Sequence, residues 1–491
     1  MNDAPANNAV SRWIGRMPGH ERLIRINVPT QGDVDARFDV PSELHFGLKL
    51  HPVLPLDPES MRDRIREYTD GEISIVVSMV ADAGVGDSFA FYADIDHDAV
   101  VPLFQISADT FLSEQGEELT FTEDGKLRMS IEDASVEMWE AKSPVAEEVT
   151  FPVSDASATL SGTLLRPHGA DPGPALVVAH GSLFHQRDVY RVFAHAMVRV
   201  GMSVLIFDRQ GYGKSGGEPA PSLRGNAEGI EAALDFLAAR DDVTTTGLWG
   251  VSNGMWTVPL VASRRPDVAF VAGLGSPGVT AVEAETHRRG AALAAGGTPP
   301  EAVETARQAW RLLLKARADG GADDKTTSKL EQLLKRLRDE PSLSEFEVPA
   351  YAQANPALSP VPPLAPAAET VAGFDGEEHP DALYDPVNSY REISCPVLLQ
   401  YGAQDANVPA AVSAERIGEA LAKGGNKQTT ITSYDGAGHL LDVVPDRVEG
   451  MSREQAEYLM HAFRFTPGAL GELTSWMETT ASSVEPKTGK S

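Results

Sequence analysis

Five unbroken apolar runs punctuate the chain between residues 175 and 402: "ALVVAH" (175–180), "MSVLIFD" (202–208), "TGLWGV" (246–251), "VAFVAGLG" (268–275) and "PVLLQYG" (396–402). A strand with one wet face alternates apolar and polar residues. These runs do not alternate, so both faces of each must be covered. Helical patterns such as "RGNAEGIEAALDFLAAR" (224–240) fall between several of them. Strand alternating with helix predicts an α/β fold with a doubly wound, mostly parallel sheet. Just upstream, "EVTFPV" and "ATLSGTLLRP" read as a hairpin, followed by the loop "HGADPGP".

A chain of 491 residues exceeds one ordinary domain. Residues 1–145 carry short alternating segments ("RLIRINV", "DARFDV", "ISIVVSMV", "SFAFYADI", "KLRMSI", "ASVEMWEA") separated by turn residues. These predict a β-rich N-terminal domain, a sandwich or a small barrel. The polar stretch "DPESMRDRIREYTDG" reads as a short helix among the strands. The α/β core occupies 146–277 and resumes over 386–470. Between them, at 278–385, the rhythm stops. Three Ala-, Glu- and Arg-rich helices at 281–295, 300–319 and 323–340 precede the Pro/Ala-rich "PALSPVPPLAPAAET". That pattern suits an inserted helical cap on a loose linker. Residues 471–491 read as a C-terminal tail closing on the disordered stretch "ASSVEPKTGKS".

Residues 208–217, "DRQGYGKSGG", satisfy three motif patterns at once. As G-x-G-x-x-G they would bind a dinucleotide, but a helix N-terminus must follow to hold the pyrophosphate, and Pro219 and Pro221 interrupt one. As a P-loop the stretch would need glycine at 208, where Asp208 stands and would repel phosphate. As G-x-S-x-G it places Ser215 in a loop on both sides. A second G-x-S-x-G fits the chemistry better: Gly250-Val251-Ser252-Asn253-Gly254, with the run "TGLWGV" before it and a helical pattern after it. A nucleophilic serine sits on such a strand-to-helix turn, whose sharpness leaves no room for side chains at the flanking positions.

A serine hydroxyl needs a base to remove its proton, and the base needs an acid to orient it. Both follow in the chain. Asp405 lies just past the strand "PVLLQYG", and His439 sits in a glycine-flanked turn after "TTITSY". Asp435 and Asp442 are rivals for the acid, but each is too near His439 to come from a separate strand. Two backbone N–H groups should face the developing oxyanion. The candidates are Asn253, after the nucleophile, and Ser182, in the loop "HGSLFHQRD". His180, His185 and Arg187 in that loop could hold a metal or an anion, but their spacing matches no strong metal signature. A structural or substrate-lining role suits them better, and the reading requires no cofactor.

Charge and cysteine content exclude other classes. A net charge of −29 argues against nucleic acid or an anionic membrane as partner. No apolar run reaches 18 residues, so no membrane-spanning helix is expected. The N-terminus lacks the apolar core of a secretory signal, which predicts a cytoplasmic protein unless a leader has been removed. Cys395 is the single cysteine, which excludes internal disulfides. In "CPVLLQYG" it reads as a buried, inert thiol.

Taken in order, "HGS", "FDRQGYGKSGG", "GVSNG", "GAQD" and "GAGH" resemble the oxyanion loop, post-strand turn, nucleophile elbow, acid loop and histidine loop of the α/β-hydrolase superfamily. In that family the second segment is a structural turn; here Gln210 stands beside Arg209 where Arg-Gly is usual. Over 147–465 the chain resembles bacterial carboxylesterases of the prolyl-oligopeptidase-like group, which carry a β-rich N-terminal domain and a helical cap. Asn253 and Met255 depart from the Glu or Gln and the Gly common in that group. The resemblance implies a serine hydrolase of small-molecule carboxylic esters acting through Ser252, Asp405 and His439. Acyl-CoA thioesters or aminoacyl amides are alternative substrates. Arg288, Arg289, Arg311 and Lys315 in the cap could meet CoA phosphates, although solvated helix faces explain them equally. Dehalogenase and epoxide-hydrolase chemistry would place Asp at the elbow. A non-catalytic module of this fold would have lost at least one of the three residues.

Overall fold

A computed structural model of the chain describes residues 10–16, 23–29, 37–40, 45–49, 51–80, 88–113, 116–131, 134–154, 158–182, 185–220, 222–319, 323–338, 380–443 and 463–483. The stretch "PALSPVPPLAPAAET" lies outside them. Two compact units emerge: Met1–Pro144 with Arg447–Arg464, and Val145–Asp446 with Phe465–Ser491.

In the first unit, eight antiparallel strands close into a barrel. They are Glu67–Thr69, Ser74–Val80, Phe89–Asp94, Ala99–Gln105, Thr110–Ser113, Glu118–Phe121, Leu127–Ile131 and Ala134–Glu140. Each pairs with the next, and Trp139 and Glu140 pair back to Thr69 and Tyr68, so no sheet edge is left unpaired. Alternation directs Ile75, Val77 and Met79 inward with Tyr92, Phe111, Leu119 and Leu127, and side chains fill the interior. Of the two architectures the alternation allowed, the barrel is the one present. The helix expected over 57–71 stops at Arg62, and Glu67–Thr69 is a barrel strand. Phe463–Arg464, which the sequence reading gave to the second part of the α/β core, pairs with Ala99 and Val100. The strand Ala99–Gln105 meets Thr110–Ser113 only through Leu103, Phe104 and Gln105, and Phe463–Arg464 takes up the other end of that edge.

The second unit is an α/β structure on a mixed eight-stranded sheet. Its strands are β1 (Val145–Pro152), β2 (Thr159–Arg166), β3 (Gly173–Ala179), β4 (Ser203–Phe207), β5 (Val243–Val251), β6 (Val268–Leu274), β7 (Val397–Gly402) and β8 (Thr429–Tyr434). The order across the sheet is β1-β2-β4-β3-β5-β6-β7-β8. β2 runs antiparallel to β1 and β4, and all other neighbours are parallel. The helices are α1 (Arg191–Arg199), α2 (Leu223–Ala238), α3 (Gly254–Ala262), α4 (Ala281–Ala295), α5 (Pro300–Ala318), α6 (Asp324–Arg338), α7 (Ala410–Lys423) and α8 (Ala469–Ser483).

The non-alternating runs are explained by two cores, one on each sheet face. Val177, Leu205, Leu248 and Leu399 pack with Ile230, Leu234 and Leu237 of α2, Val258 of α3 and Ile417 of α7. Their chain neighbours Val178, Val204, Ile206, Trp249 and Leu398 pack with Met197 of α1 and Leu473 and Met477 of α8. Residues 471–483 therefore form helix rather than tail, because Leu470, Leu473 and Met477 recur at helical spacing and have a core to enter. Helices α4 to α6 build a small core of their own around Trp310, Leu313, Leu330, Leu334 and Leu337. Thr280 and Glu283 cap α4 reciprocally.

Candidate active site

Parallel strands gather their C-terminal ends along one rim, and the loops there carry the candidate residues. β5 ends at Val251, and α3 begins at Gly254. Ser252 between them is held at φ +52°, a left-handed conformation that a serine tolerates only under constraint from its surroundings. The constraint is visible. Its N–H donates to the Leu274 carbonyl at 2.9 Å. A Cβ at 250 would lie 2.8 Å from Met255 Sδ, and one at 254 would lie 2.6 Å from the Ala179 carbonyl oxygen. The Ser252 hydroxyl makes no hydrogen bond among the described residues.

Asp405 and His439 meet. His439 Nδ1 lies 2.7 Å from Asp405 Oδ2, on a carboxylate whose side chain is fully buried. Asp405 Oδ1 accepts the N–H groups of Asn407 at 2.7 Å and Val408 at 2.8 Å, which fix the carboxylate in place. A carboxylate can only accept here, so Nδ1 carries the proton and Nε2 is left as the lone-pair nitrogen. Asp442 serves its own turn instead, accepting from the Leu440 N–H at 3.1 Å. Two glycines let the histidine loop close in. A Cβ at 402 would fall 1.9 Å from the Gly438 carbonyl oxygen, and one at 275 would fall 2.9 Å from His439 Cε1. Gly275 directly follows Leu274, the residue bonded to the Ser252 amide, so Ser252 and His439 flank one strand end. No hydrogen bond joins them among the described residues. Such contacts are commonly long in free enzymes and tighten with substrate.

The expected N–H donors occupy adjacent loops. The Gly181 N–H is taken by the Tyr190 hydroxyl at 2.7 Å, whereas those of Ser182 and Asn253 have no acceptor among the described residues. His180 is buried and donates through Nε2 to the Phe207 carbonyl at 2.6 Å, edge-on to Tyr190 and Phe207. Burial holds its pKa well below the usual histidine range, so it is a neutral structural group. Arg187 is likewise structural, with its Nη2 3.1 Å from Ser161 Oγ and 3.6 Å from Asp208. His185 stacks on Tyr212. Burial first, and Arg209 second, lower its pKa to about 4. Among the described residues no group of three or more His, Cys, Asp or Glu side chains is placed to hold a metal ion.

Three contributors escaped the sequence reading. Tyr190 props Gly181. Arg209, within the quoted stretch 208–217, reaches His180, His185 and Asn253. His287 of α4 lies 3.1 Å by Nε2 from the Asp405 carbonyl oxygen. Tyr190 and His287 belong to no local motif, and the motif that holds Arg209 does not show its partners; only the tertiary fold brings them together. On α4, Arg288 and Arg289 are both held by Glu285, at 2.7 and 2.6 Å. Cys395 is half-buried, and burial pushes its thiol up to about 12. Among the described residues no helix is long and apolar enough to cross a membrane.

Residues 385–477, which hold both Asp405 and His439, match the family described as BAAT / acyl-CoA thioester hydrolase C terminal. An uncharacterized protein of Mycobacterium tuberculosis is 31% identical over 130 residues, covering 26% of this chain and 45% of that protein. The thiohydrolase aneE of Aspergillus aculeatus is 37% identical over 101 residues, 19% of this chain and 32% of that enzyme. The chain thus spans less than half the length of these curated relatives. Among solved structures, the Pyrococcus furiosus esterase Pf2001 aligns at 14% identity over 70% of this chain and 92% of its own, with a TM-score of 0.41. The α/β hydrolase GrgF of Penicillium sp. aligns at 18% over 69% and 99%, with a TM-score of 0.40. These two likenesses are too distant to argue from. The strand order, the placement of the acid–histidine pair after β7 and β8, and the matched C-terminal segment are consistent with the α/β-hydrolase superfamily.

Proposed function

We propose that this chain is a serine hydrolase of the doubly wound α/β-hydrolase fold. It would cleave small-molecule carboxylic esters through an acyl-enzyme on Ser252, without a cofactor. His439 Nε2 takes the Ser252 proton as Oγ attacks the acyl carbon, and Asp405 holds the imidazole in that tautomer and stabilises it once protonated. The N–H groups of Ser182 and Asn253 receive the negative oxygen of the tetrahedral intermediate. The protonated imidazole gives its proton to the leaving alcohol. A water then repeats the cycle and releases the acid. The helices over 278–385 cover the pocket and select the substrate. The observation that carries this reading is the 2.7 Å contact between His439 Nδ1 and Asp405 Oδ2, which leaves Nε2 as a base at the strand end where Ser252 is pinned. Ser252→Ala should abolish both p-nitrophenyl ester turnover and fluorophosphonate labelling; substantial turnover in that variant rejects the reading.

A second reading, thioester cleavage by the same three residues, is favoured by the match over 385–477 and by the thiohydrolase relative. In the cap, Arg288 and Arg289 share the single carboxylate of Glu285, which leaves one net positive charge there for an acyl-CoA phosphate to meet. A panel of esters, acyl-CoA and simple thioesters, and aminoacyl amides separates the two by kcat/KM.

A further inference from the structure

Arg209 is a part-buried guanidinium with three acceptors, and all three are neutral. Nη1 donates to His185 Nδ1 at 3.2 Å; Nη2 donates to the His180 carbonyl at 2.9 Å and reaches Asn253 Oδ1 at 3.4 Å. The adjacent carboxylate does not serve it. Asp208 accepts from the N–H groups of Arg187 and Lys214, both at 2.9 Å, and pairs with the Arg187 guanidinium. No carboxylate pairs with Arg209 among the described residues. A cation withdrawn from water is costly unless something negative meets it. Its position suggests what does: two of the three acceptors belong to the 180–182 loop and to Asn253, the two segments that carry the candidate oxyanion donors. Desolvation lowers the Arg209 pKa, but a guanidinium remains charged at any working pH.

We propose that Arg209 is the positioning residue of the oxyanion site. Its fork ties the 180–182 loop to the residue after the nucleophile, and its uncancelled positive charge stands behind the two amides that receive the oxyanion. The inference rests on the acyl-enzyme reading above. The negative charge that compensates Arg209 appears only in the tetrahedral intermediate, so its effect falls on the transition state rather than on bound substrate. Lysine could not replace it fully, because a point charge cannot hold two divergent acceptors in a plane.

The test compares Arg209→Met and Arg209→Lys with the wild-type chain, each checked for folding by circular dichroism. The readouts are kcat and KM for a p-nitrophenyl ester, and the affinities of an aryl trifluoromethyl ketone, which forms an oxyanionic adduct with serine, and of the matching methyl ketone. Arg209→Met should lower kcat about 100-fold with KM within about threefold. Trifluoromethyl ketone affinity should fall by a similar factor, and methyl ketone affinity should hold. Arg209→Lys should recover part of both losses. A folded Arg209→Met with kcat and trifluoromethyl ketone affinity near wild type overturns the inference, as does an equal loss of affinity for both ketones, which marks general disruption. If Arg209→Met does not fold, Arg209→Lys decides alone: wild-type values overturn, and parallel losses in kcat and trifluoromethyl ketone affinity support. Activity surviving Ser252→Ala removes the acyl-enzyme reading itself, whereas a dead Ser252→Ala beside an unaffected Arg209→Met removes only this inference.

Discussion

Two turns in this chain carry the same five-residue signature, G-x-S-x-G, and the structure uses them in opposite ways. At 213–217 the serine hydroxyl is fully engaged: Ser215 Oγ donates to the Asp208 carbonyl at 2.6 Å and accepts the Ser161 N–H at 2.9 Å. The turn folds around Asp208, and Gly213 at φ +55° lies against its carboxylate. At 250–254 the positive φ falls on the serine itself, at +52°, and its hydroxyl is left unbonded beside the strand end that also carries His439. The first turn ties loop to strand, and the second stores strain to present a group. A motif of glycines and serine thus specifies a tight turn; what the hydroxyl touches decides whether the turn is structure or chemistry.

Swapping each serine for alanine should separate the two most widely. Ser252→Ala is expected to lose at least about 10⁴-fold in kcat. Ser215→Ala should keep kcat within severalfold and lose about 1–2 kcal/mol of stability, the effect of stranding two backbone groups. Ester turnover and urea melts on both variants measure this. Comparable kinetic losses would erase the distinction.

The next largest effect concerns the rim. At Gly275, φ is +58° and an added Cβ would sit 2.9 Å from His439 Cε1 and 3.1 Å from Nδ1. Gly275→Ala should push the imidazole off its line to the nucleophile and lower kcat about 100-fold, the scale of an ångström's misplacement. The folded state should persist by circular dichroism. A kcat within a factor of three would show that the ring has slack the geometry denies.

Gly213→Ala is the counterpart in the other turn. The new Cβ would lie 2.5 Å from Asp208 Oδ2 at a left-handed φ. Its effect should be on stability, about 2–3 kcal/mol, the usual scale for such strain. The urea midpoint reads it directly, and an unchanged midpoint would show that Asp208 can swing away.

Much of this was legible along the chain, and the exceptions share a cause. The five apolar runs became β3 to β7 because a strand covered on both faces must be apolar throughout, a local property. Asp405 and His439 could be named because each follows a readable strand in a fixed order. The barrel strand Ala99–Gln105 was missed because Pro102 interrupts it, and the closure of Trp139 onto Thr69 joins segments no local pattern connects. The Ser182 and Asn253 amides could be named from loop position, but Arg209 could not. Its partners at 180, 185 and 253 are a backbone carbonyl, a ring nitrogen and an amide oxygen, and neighbouring residues reveal none of them.

The smallest effect bears on what keeps the structural turn in place. His185 accepts from Arg209 through Nδ1, takes the Arg209 N–H on its carbonyl at 2.9 Å, and stacks on Tyr212 with ring centres 4.2 Å apart. Its folded pKa of about 4 lies below the ordinary value of 6.5, because burial and then Arg209 disfavour the cation. A depressed pKa means the folded state binds the proton less readily than the unfolded chain. The stability this residue contributes is therefore complete above pH 6.5 and declines as pH falls from there toward 4. With partial exposure screening the charge, the loss by pH 5 should be about 1 kcal/mol, or about 2 °C in melting temperature. Asparagine at 185 keeps an acceptor near the Nδ1 position but cannot take up a proton. His185→Asn should therefore melt lower at pH 7 yet lose less than the wild type on going to pH 5. Parallel melting curves for the two proteins between pH 7 and pH 5 would show that the imidazole titrates unhindered and that the turn does not depend on its neutrality.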